Sequence, residues 1–131
     1  MKKALMILGL VSLLSVVVFA REYSEVTCTN EKCGFKDDFG EGPTMARDWV
    51  TGYCIKCEKF VWRNWDKNGG DPKPPQIFKV WDATSGKTRE LFPCPHCNQL
   101  VLAIKDKSEI KFCPKCNSDK IKISAPHTFK D

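Results

Sequence analysis

Eight cysteines arranged in four close pairs constrain the fold of this chain more than any other feature. Within each half of the chain, 20 and 15 residues separate the two pairs, whereas 36 residues separate the second pair from the third. This spacing predicts two units, each built from a pair, a loop and a second pair. The four pairs are Cys28-x4-Cys33, Cys54-x2-Cys57, Cys94-x2-Cys97 and Cys113-x2-Cys116.

The first 20 residues predict an export signal. Lys2 and Lys3 precede a 16-residue apolar run, and Val18 and Ala20 have the spacing that signal peptidase requires. The run is shorter than the about 20 apolar residues of a membrane-spanning helix. We therefore expect a signal peptide over residues 1–20 and an exported domain, either periplasmic or extracellular. The alternative is that residues 4–20 remain as a membrane anchor with the domain outside.

Metal binding and disulfide bonding are the two interpretations of the cysteines. Exported small domains commonly carry disulfide frameworks, but such frameworks usually scatter their cysteines along the chain. A C-x2-C turn supplies two thiolates of a tetrahedral site, and two such turns complete it. The residue after each pair often needs a positive φ, which suits Gly34, Asn98 and Asn117 but not Glu58. The pattern favours two four-cysteine metal sites, with disulfides as the alternative.

Short strands are predicted beside the cysteine pairs and between the two units. The segments 77–81 and 88–92 flank "DATSGK", which indicates a hairpin with a Gly-containing turn. The segment "QLVLAI" after Cys97 places Leu100, Leu102 and Ile104 on one face, which is expected to be the buried face of a half-buried strand, and apolar residues alternate with lysines in "KIKI" near the end. "GYC" before Cys54 and "EKFVWRNW" after Cys57 also indicate strands. One helical turn is expected around "GPTMARDW".

The sequences "CTNEKCGF", "GYCIKC", "CPHCN" and "FCPKCNSDKIKI" resemble the zinc-ribbon (rubredoxin-like) superfamily in a tandem arrangement. The departures are the four-residue gap in the first pair, Asn in place of Gly after two pairs, and a long middle insert. The resemblance implies a small, mainly β, metal-stabilised fold that holds two zinc ions, with iron possible. It divides the chain into a first zinc ribbon over 21–66, a loop and β-hairpin insert over 67–91, and a second zinc ribbon over 92–131. The implied metal ligands are Cys28, Cys33, Cys54, Cys57, Cys94, Cys97, Cys113 and Cys116.

Two short motifs suggest enzymes in isolation. "CPHC" matches the active-site tetrapeptide of DsbA-type disulfide oxidases, but there the pair opens a helix that lowers the pKa of the nucleophilic thiol. Here "NQLVLAIK" favours a strand, and another cysteine pair follows within the remaining 34 residues. "SGKT" lacks the earlier glycine of a phosphate-binding loop, because position 81 is Trp. No catalytic constellation is predicted.

Four tryptophans lie within 33 residues, at Trp49, Trp62, Trp65 and Trp81. Large rings near small metal sites are expected to fill the core. The three-residue spacing of Trp62 and Trp65 places them on opposite faces of a strand, so one of them is expected to form a binding surface for a protein, peptide or glycan partner.

Net charge argues against a nucleic-acid partner. The chain has 21 basic and 16 acidic residues, and removal of Lys2 and Lys3 leaves 19 basic residues and a charge of +3. Two zinc ions bound by four thiolates each contribute −2 per site, which brings the net charge to −1. Contact with a membrane is expected only through an uncleaved N-terminal segment.

The main functional expectation is therefore a non-enzymatic exported protein in which two four-cysteine zinc ribbons serve as a scaffold and interaction module. The first alternative is a rubredoxin-like electron-transfer protein, because the same ligands also bind iron. The second is a thiol-redox protein that uses the Cys94–Cys97 pair.

Overall fold

The computed structural model describes residues 22–41 and 47–127, and in these ranges the chain is mainly β with no α-helix. A single 3-10 turn, Lys107–Glu109, is capped by the Asp106 side chain, which accepts a hydrogen bond from Ser108 N–H. The eight strands are β1 (Glu22–Cys28), β2 (Lys36–Glu41), β3 (Arg47–Cys54), β4 (Lys59–Asp66), β5 (Phe78–Asp82), β6 (Lys87–Pro93), β7 (Leu100–Leu102) and β8 (Ile121–Ile123).

The strands form three antiparallel sheets, with strand orders β2-β1-β8, β3-β4 and β5-β6-β7. The first sheet joins distant parts of the chain, because β8 pairs with β1 through Val26–Ile123, Thr27–Lys122 and Cys28–Ile121. A further bridge links Tyr23 to His127. The two ends of the described chain therefore lie side by side.

The predicted hairpins are confirmed. Strands β5 and β6 enclose the predicted turn, where Gly86 has a φ of 66° and donates its N–H to the Asp82 carbonyl. Strand β3 ends at Cys54 and β4 begins at Lys59, so the two strands flank the second cysteine pair as "GYC" and "EKFVWRNW" indicated. These elements form where sequence predicts them because alternation and turn residues act locally.

A close backbone approach joins the second and third sheets at Gly52. Gly52 on β3 bridges to Ala103, and Ile104 N–H donates to the Thr51 carbonyl at 2.7 Å. A Cβ atom at Gly52 would lie 2.5 Å from Val101 Cγ1 and closer still to the Leu102 carbonyl oxygen. Only glycine fits between the two sheets at this point.

Two buried clusters form the core. The outer core combines the first sheet with β4 and is rich in aromatic rings that meet edge to face at centroid distances of 5.3–6.0 Å. It consists of Val26, Cys28, Phe35, Phe39, Phe60, Ile110 and Cys113. The inner core lies between the second and third sheets. It consists of Val50, Cys54, Val61, Phe92, Cys94, Val101 and Ala103.

Two local expectations differ from the structure. Leu100 and Leu102 share one face of β7, but that face is exposed, and Val101 on the opposite face is buried. The opposite face of β7 is the buried one because Val101 packs directly against Gly52 of β3, a position that has no side chain. In the segment predicted as a helical turn, residues 47–49 begin β3, and residues 42–46 lie outside the described ranges.

The predicted signal peptide, or membrane anchor, over residues 1–20 also lies outside the described residues. Between residues 22 and 127, apart from 42–46, the structure contains no helix of the length and apolar character that a membrane crossing requires.

Candidate metal centres

Each cysteine pair lies in a turn, here called a knuckle, and the first three of these turns follow the end of a strand. The first three knuckles connect β1 to β2, β3 to β4 and β6 to β7, and the fourth leads into β8. The last two share one hydrogen-bond pattern: the first cysteine donates its N–H to the carbonyl of Gln99 or Ser118, and its own carbonyl accepts from the N–H of Asn98 or Asn117. Repeated turn geometry thus presents two thiols from each knuckle.

The structure groups the four knuckles differently from the tandem expectation. The first knuckle meets the fourth, and the second meets the third. We call these the outer group (Cys28, Cys33, Cys113 and Cys116) and the inner group (Cys54, Cys57, Cys94 and Cys97). The predicted pairing within each half of the chain is therefore corrected to a nested pairing. The physical reason is that β8 adds to β1 while β7 meets β3, which brings distant knuckles together.

The sulfur positions fit a tetrahedral metal. In each group the four Sγ atoms lie within 4.8 Å of one another. Contacts between the two knuckles of each group measure 3.6 Å for Cys28–Cys116, 3.7 Å for Cys33–Cys113, 3.5 Å for Cys54–Cys97 and 3.9 Å for Cys57–Cys94. Four sulfurs at about 2.3 Å from a zinc ion form a tetrahedron with edges of about 3.8 Å. Each group could therefore hold one metal ion.

All four knuckles use the same left-handed backbone conformation after the second cysteine. The φ values are 65° at Gly34, 62° at Asn98 and 61° at Asn117, as the sequence predicted. Glu58 also adopts it, with φ of 53°. Position 58 is therefore a knuckle position like the others, although glutamate pays a steric penalty there that glycine avoids.

Backbone N–H groups point at the sulfurs of the inner group and change their acidity. Burial opposes ionisation of Cys54, but hydrogen bonds from Cys57 N–H and the neighbouring thiols lower its pKa to about 7. Burial raises the pKa of Cys57 to about 12. His96 N–H donates to Cys94 Sγ at 3.4 Å, so this knuckle also directs an amide at its first sulfur.

The outer group repeats this arrangement. The N–H of Ser118 lowers the pKa of Cys116 to about 7, and burial raises that of Cys28 to about 12. Metal coordination requires thiolates, so an ion entering either group must displace protons. Amide hydrogen bonds to coordinating sulfurs orient the ligands and stabilise their negative charge.

The two groups differ in exposure. Cys116 of the outer group is exposed and Cys33 is partly buried, whereas the inner group has no exposed member. The outer group therefore offers solvent and competing ligands easier access.

The context of "CPHC" is a hairpin. Strand β7 follows the knuckle at Leu100, where a disulfide oxidase has a helix, and Cys94 is buried. His96 lies at the knuckle tip, outside both cysteine groups. The strand predicted after Cys97 is therefore confirmed.

The tryptophan expectations have mixed outcomes. Trp62 is exposed and Trp65 packs against the inner core, so the two do lie on opposite faces of β4. Tyr53 and Phe60 pack edge to face in the outer core. Trp81, expected in the core, is the most exposed of the four tryptophans. Its exposure could not be read from alternation, because both faces of β5 are exposed.

A comparison of the chain with protein-family models, curated proteins and solved structures gives no match. The fold and the two groups nevertheless define a class: a small, mainly β protein with two four-cysteine groups that could hold metal ions.

Proposed function

We propose that this chain is a non-enzymatic exported protein in which each cysteine group binds one zinc ion and the metal-stabilised domain acts as an interaction module. The observation that carries the proposal is the size of the two sulfur tetrahedra. Their edges between knuckles, at 3.5–3.9 Å, bracket the about 3.8 Å that tetrahedral zinc requires.

A structural role for the metal follows from the ligand set. Four thiolates fill the coordination sphere of zinc and leave no position for a water or substrate, whereas catalytic zinc sites keep one open. Each ion would connect two knuckles that are far apart in sequence. Structural zinc supplies about 10–16 kcal/mol per site in small peptides, which equals or exceeds the about 5–15 kcal/mol net stability of a typical domain.

Export is supported by the sequence of residues 1–20, with its basic start, apolar run and small residue at position 20. An exported domain with a limited core needs cross-links, and metal centres supply them in place of disulfides. The exported-module part of the proposal therefore rests on sequence, and the zinc part rests on geometry.

Native mass spectrometry of the purified protein, with elemental analysis, tests the proposal. We expect two zinc ions per chain, a mass that corresponds to cleavage after Ala20, and eight reduced cysteines. A strong chelator should remove both ions and abolish the near-UV circular dichroism spectrum. A red protein containing iron would replace the proposal with the electron-transfer alternative. A metal-free folded protein with four disulfides would refute metal binding altogether.

A further inference from the structure

The third sheet leaves one edge and one face without a partner among the described residues. Strand β5 is an edge strand, because β6 is its only neighbour in the sheet. The opposite edge is covered, since the chain leaving β7 bridges to Gly52 through Ala103. An edge strand directs the N–H and C=O groups of alternate residues outward, where they can bind another strand.

Apolar side chains are exposed along the same sheet. The register places Phe78, Leu91 and Leu102 in one row across all three strands, on the face opposite the buried Phe92 and Val101. Together with Val80 and Leu100, this row forms what we call the apolar face. Its members Phe78, Val80, Leu100 and Leu102 are 36%, 42%, 53% and 40% exposed.

Strand β5 is apolar on its other side too. Trp81 points to the opposite face of the sheet from Val80 and is 68% exposed. A partner that docks flat on the apolar face would not reach Trp81. A strand added beside β5 lies in the plane of the sheet, and its alternating side chains cover both faces at once.

Charge along the edge selects the partner. Asp82 is paired with Arg89 at 3.7 Å, whereas Lys79 on β5 forms no ion pair within residues 22–41 and 47–127. The free charge of this edge is therefore positive. A second copy would bring another Lys79 to the same edge, and edge lysines disfavour such self-pairing. A peptide with carboxylates would instead neutralise them.

The size of the apolar face also favours a peptide over a second copy of the chain. A large aromatic side chain has about 150–250 Å² of surface. Four side chains of the apolar face are 36–53% exposed, so their exposed surface adds up to on the order of 300 Å². A standard protein interface buries about 800 Å² per partner. Two copies docked through this face alone would fall short, whereas an added strand also gains main-chain hydrogen bonds.

We propose that β5 binds an extended peptide segment of a partner protein by strand addition, and that this segment has apolar residues at alternate positions with carboxylates between them. The apolar residues lie beside Phe78 and Val80, and a carboxylate lies beside Lys79. This deepens the interaction-module part of the proposed function and rests on it.

A phage-displayed library of random heptapeptides tests the assignment. The library is panned against the purified metal-loaded protein and, in parallel, against Trp81→Pro, which removes a main-chain donor that faces away from β6, because the β6–β7 hydrogen bonds and the β5–β6 register leave Lys79 and Trp81 facing outward. We expect peptides with alternating apolar and acidic residues to be enriched on the unmodified protein alone. The absence of enrichment, or the same peptides on both targets, would overturn the proposal.

One enriched peptide, labelled with fluorescein, then reports the charge contribution by fluorescence anisotropy. Lys79→Glu should weaken binding at least tenfold, and Lys111→Glu, an exposed lysine outside the edge, should leave it unchanged. Because Lys79→Glu keeps the backbone donor, it tests the edge even where Trp81→Pro disturbs the hairpin. Equal weakening by the two charge reversals would show only a general effect of net charge and would contradict the site.

Two further measurements separate the remaining outcomes. Sedimentation velocity over a range of concentrations should show a monomer, and a dimer that Trp81→Pro abolishes would make a second copy the occupant instead of a peptide. Metal content is measured on every variant. A protein that holds two ions yet binds no peptide refutes the peptide site alone, whereas a protein without metal refutes the proposed metal centres.

Discussion

The nested pairing of the knuckles makes a prediction that two double variants decide. Cys28→Ser with Cys113→Ser removes two ligands from the outer group and none from the inner group. Cys28→Ser with Cys54→Ser removes one ligand from each group. A tandem pairing reverses these assignments, because Cys28 and Cys54 would then share one site.

The expected magnitudes follow from the separation of the two cores. The outer double variant loses one site, worth about 10–16 kcal/mol of metal-binding free energy, but the inner core contains no residue of the outer group. The outer double variant should retain one ion and an ordered β3–β7 region, while β1 and β8 separate. The crossed variant should hold neither ion tightly. Without both sites it should be largely unfolded, since a domain's whole net stability is about 5–15 kcal/mol.

Native mass spectrometry counts the ions, and amide hydrogen exchange reports which strands remain protected. The outer variant should show one ion and rapid exchange confined to β1, β2 and β8. An outer variant without metal, together with a crossed variant that keeps one ion, would refute the nested pairing and restore the tandem one. The single variant Cys28→Ser serves as the shared control.

Three further predictions concern backbone geometry and pH. Gly52→Ala should lower the free energy of unfolding, measured by urea denaturation, by about 1–3 kcal/mol, because the new Cβ meets the backbone of Leu102. Gly70→Ala should lower it by less, because the flexible Asp66 side chain can move. Glu58→Gly should raise the free energy of unfolding by about 1 kcal/mol, because glycine adopts the left-handed backbone without strain. Lys115→Ala controls for the lost 3.9 Å ion pair, and a less stable Glu58→Gly would show that the backbone at position 58 is not strained. Burial raises the pKa of Tyr53 to about 12, so its contribution to stability is present below the unfolded pKa of about 10 and is lost as pH rises through 12. Absorbance titration at alkaline pH should show a late phenol step that Tyr53→Phe removes, and a single step near pH 10 would refute it.

Local features of this fold are readable from sequence, and the reason is that they depend on few neighbours. A knuckle needs two cysteines and a residue that tolerates positive φ, and Asn98 and Asn117 predicted this backbone conformation. Glu58 shows the limit of this reasoning, because the position of the cysteine pair before it imposes the turn on a residue that does not favour it. The hairpins around Gly86 and the second knuckle were equally local.

The pairing of the knuckles could not be predicted from their spacing. Proximity in sequence favours joining neighbours, but loop closure becomes costlier by only about 0.6 kcal/mol for each doubling of length. Cys33 and Cys113 enclose 79 residues, about four times the 20 between Cys33 and Cys54, which amounts to about 1.2 kcal/mol. The burial of one large apolar side chain contributes about 1.5–3 kcal/mol. Packing therefore decides the partners, and packing is not visible in the spacing.

The nested arrangement also assigns different mechanical roles to the two groups. The inner group joins the β3–β4 hairpin to the β6–β7 hairpin around a closely packed glycine, and all its thiols are at least partly buried. The outer group closes the first hairpin onto β8, across only three residue pairs and with one exposed thiol. Under the proposed metal binding, loss of the outer ion would release β8 while leaving intact the sheet that carries β5. The proposed peptide edge therefore depends on the inner ion, which is the better protected of the two.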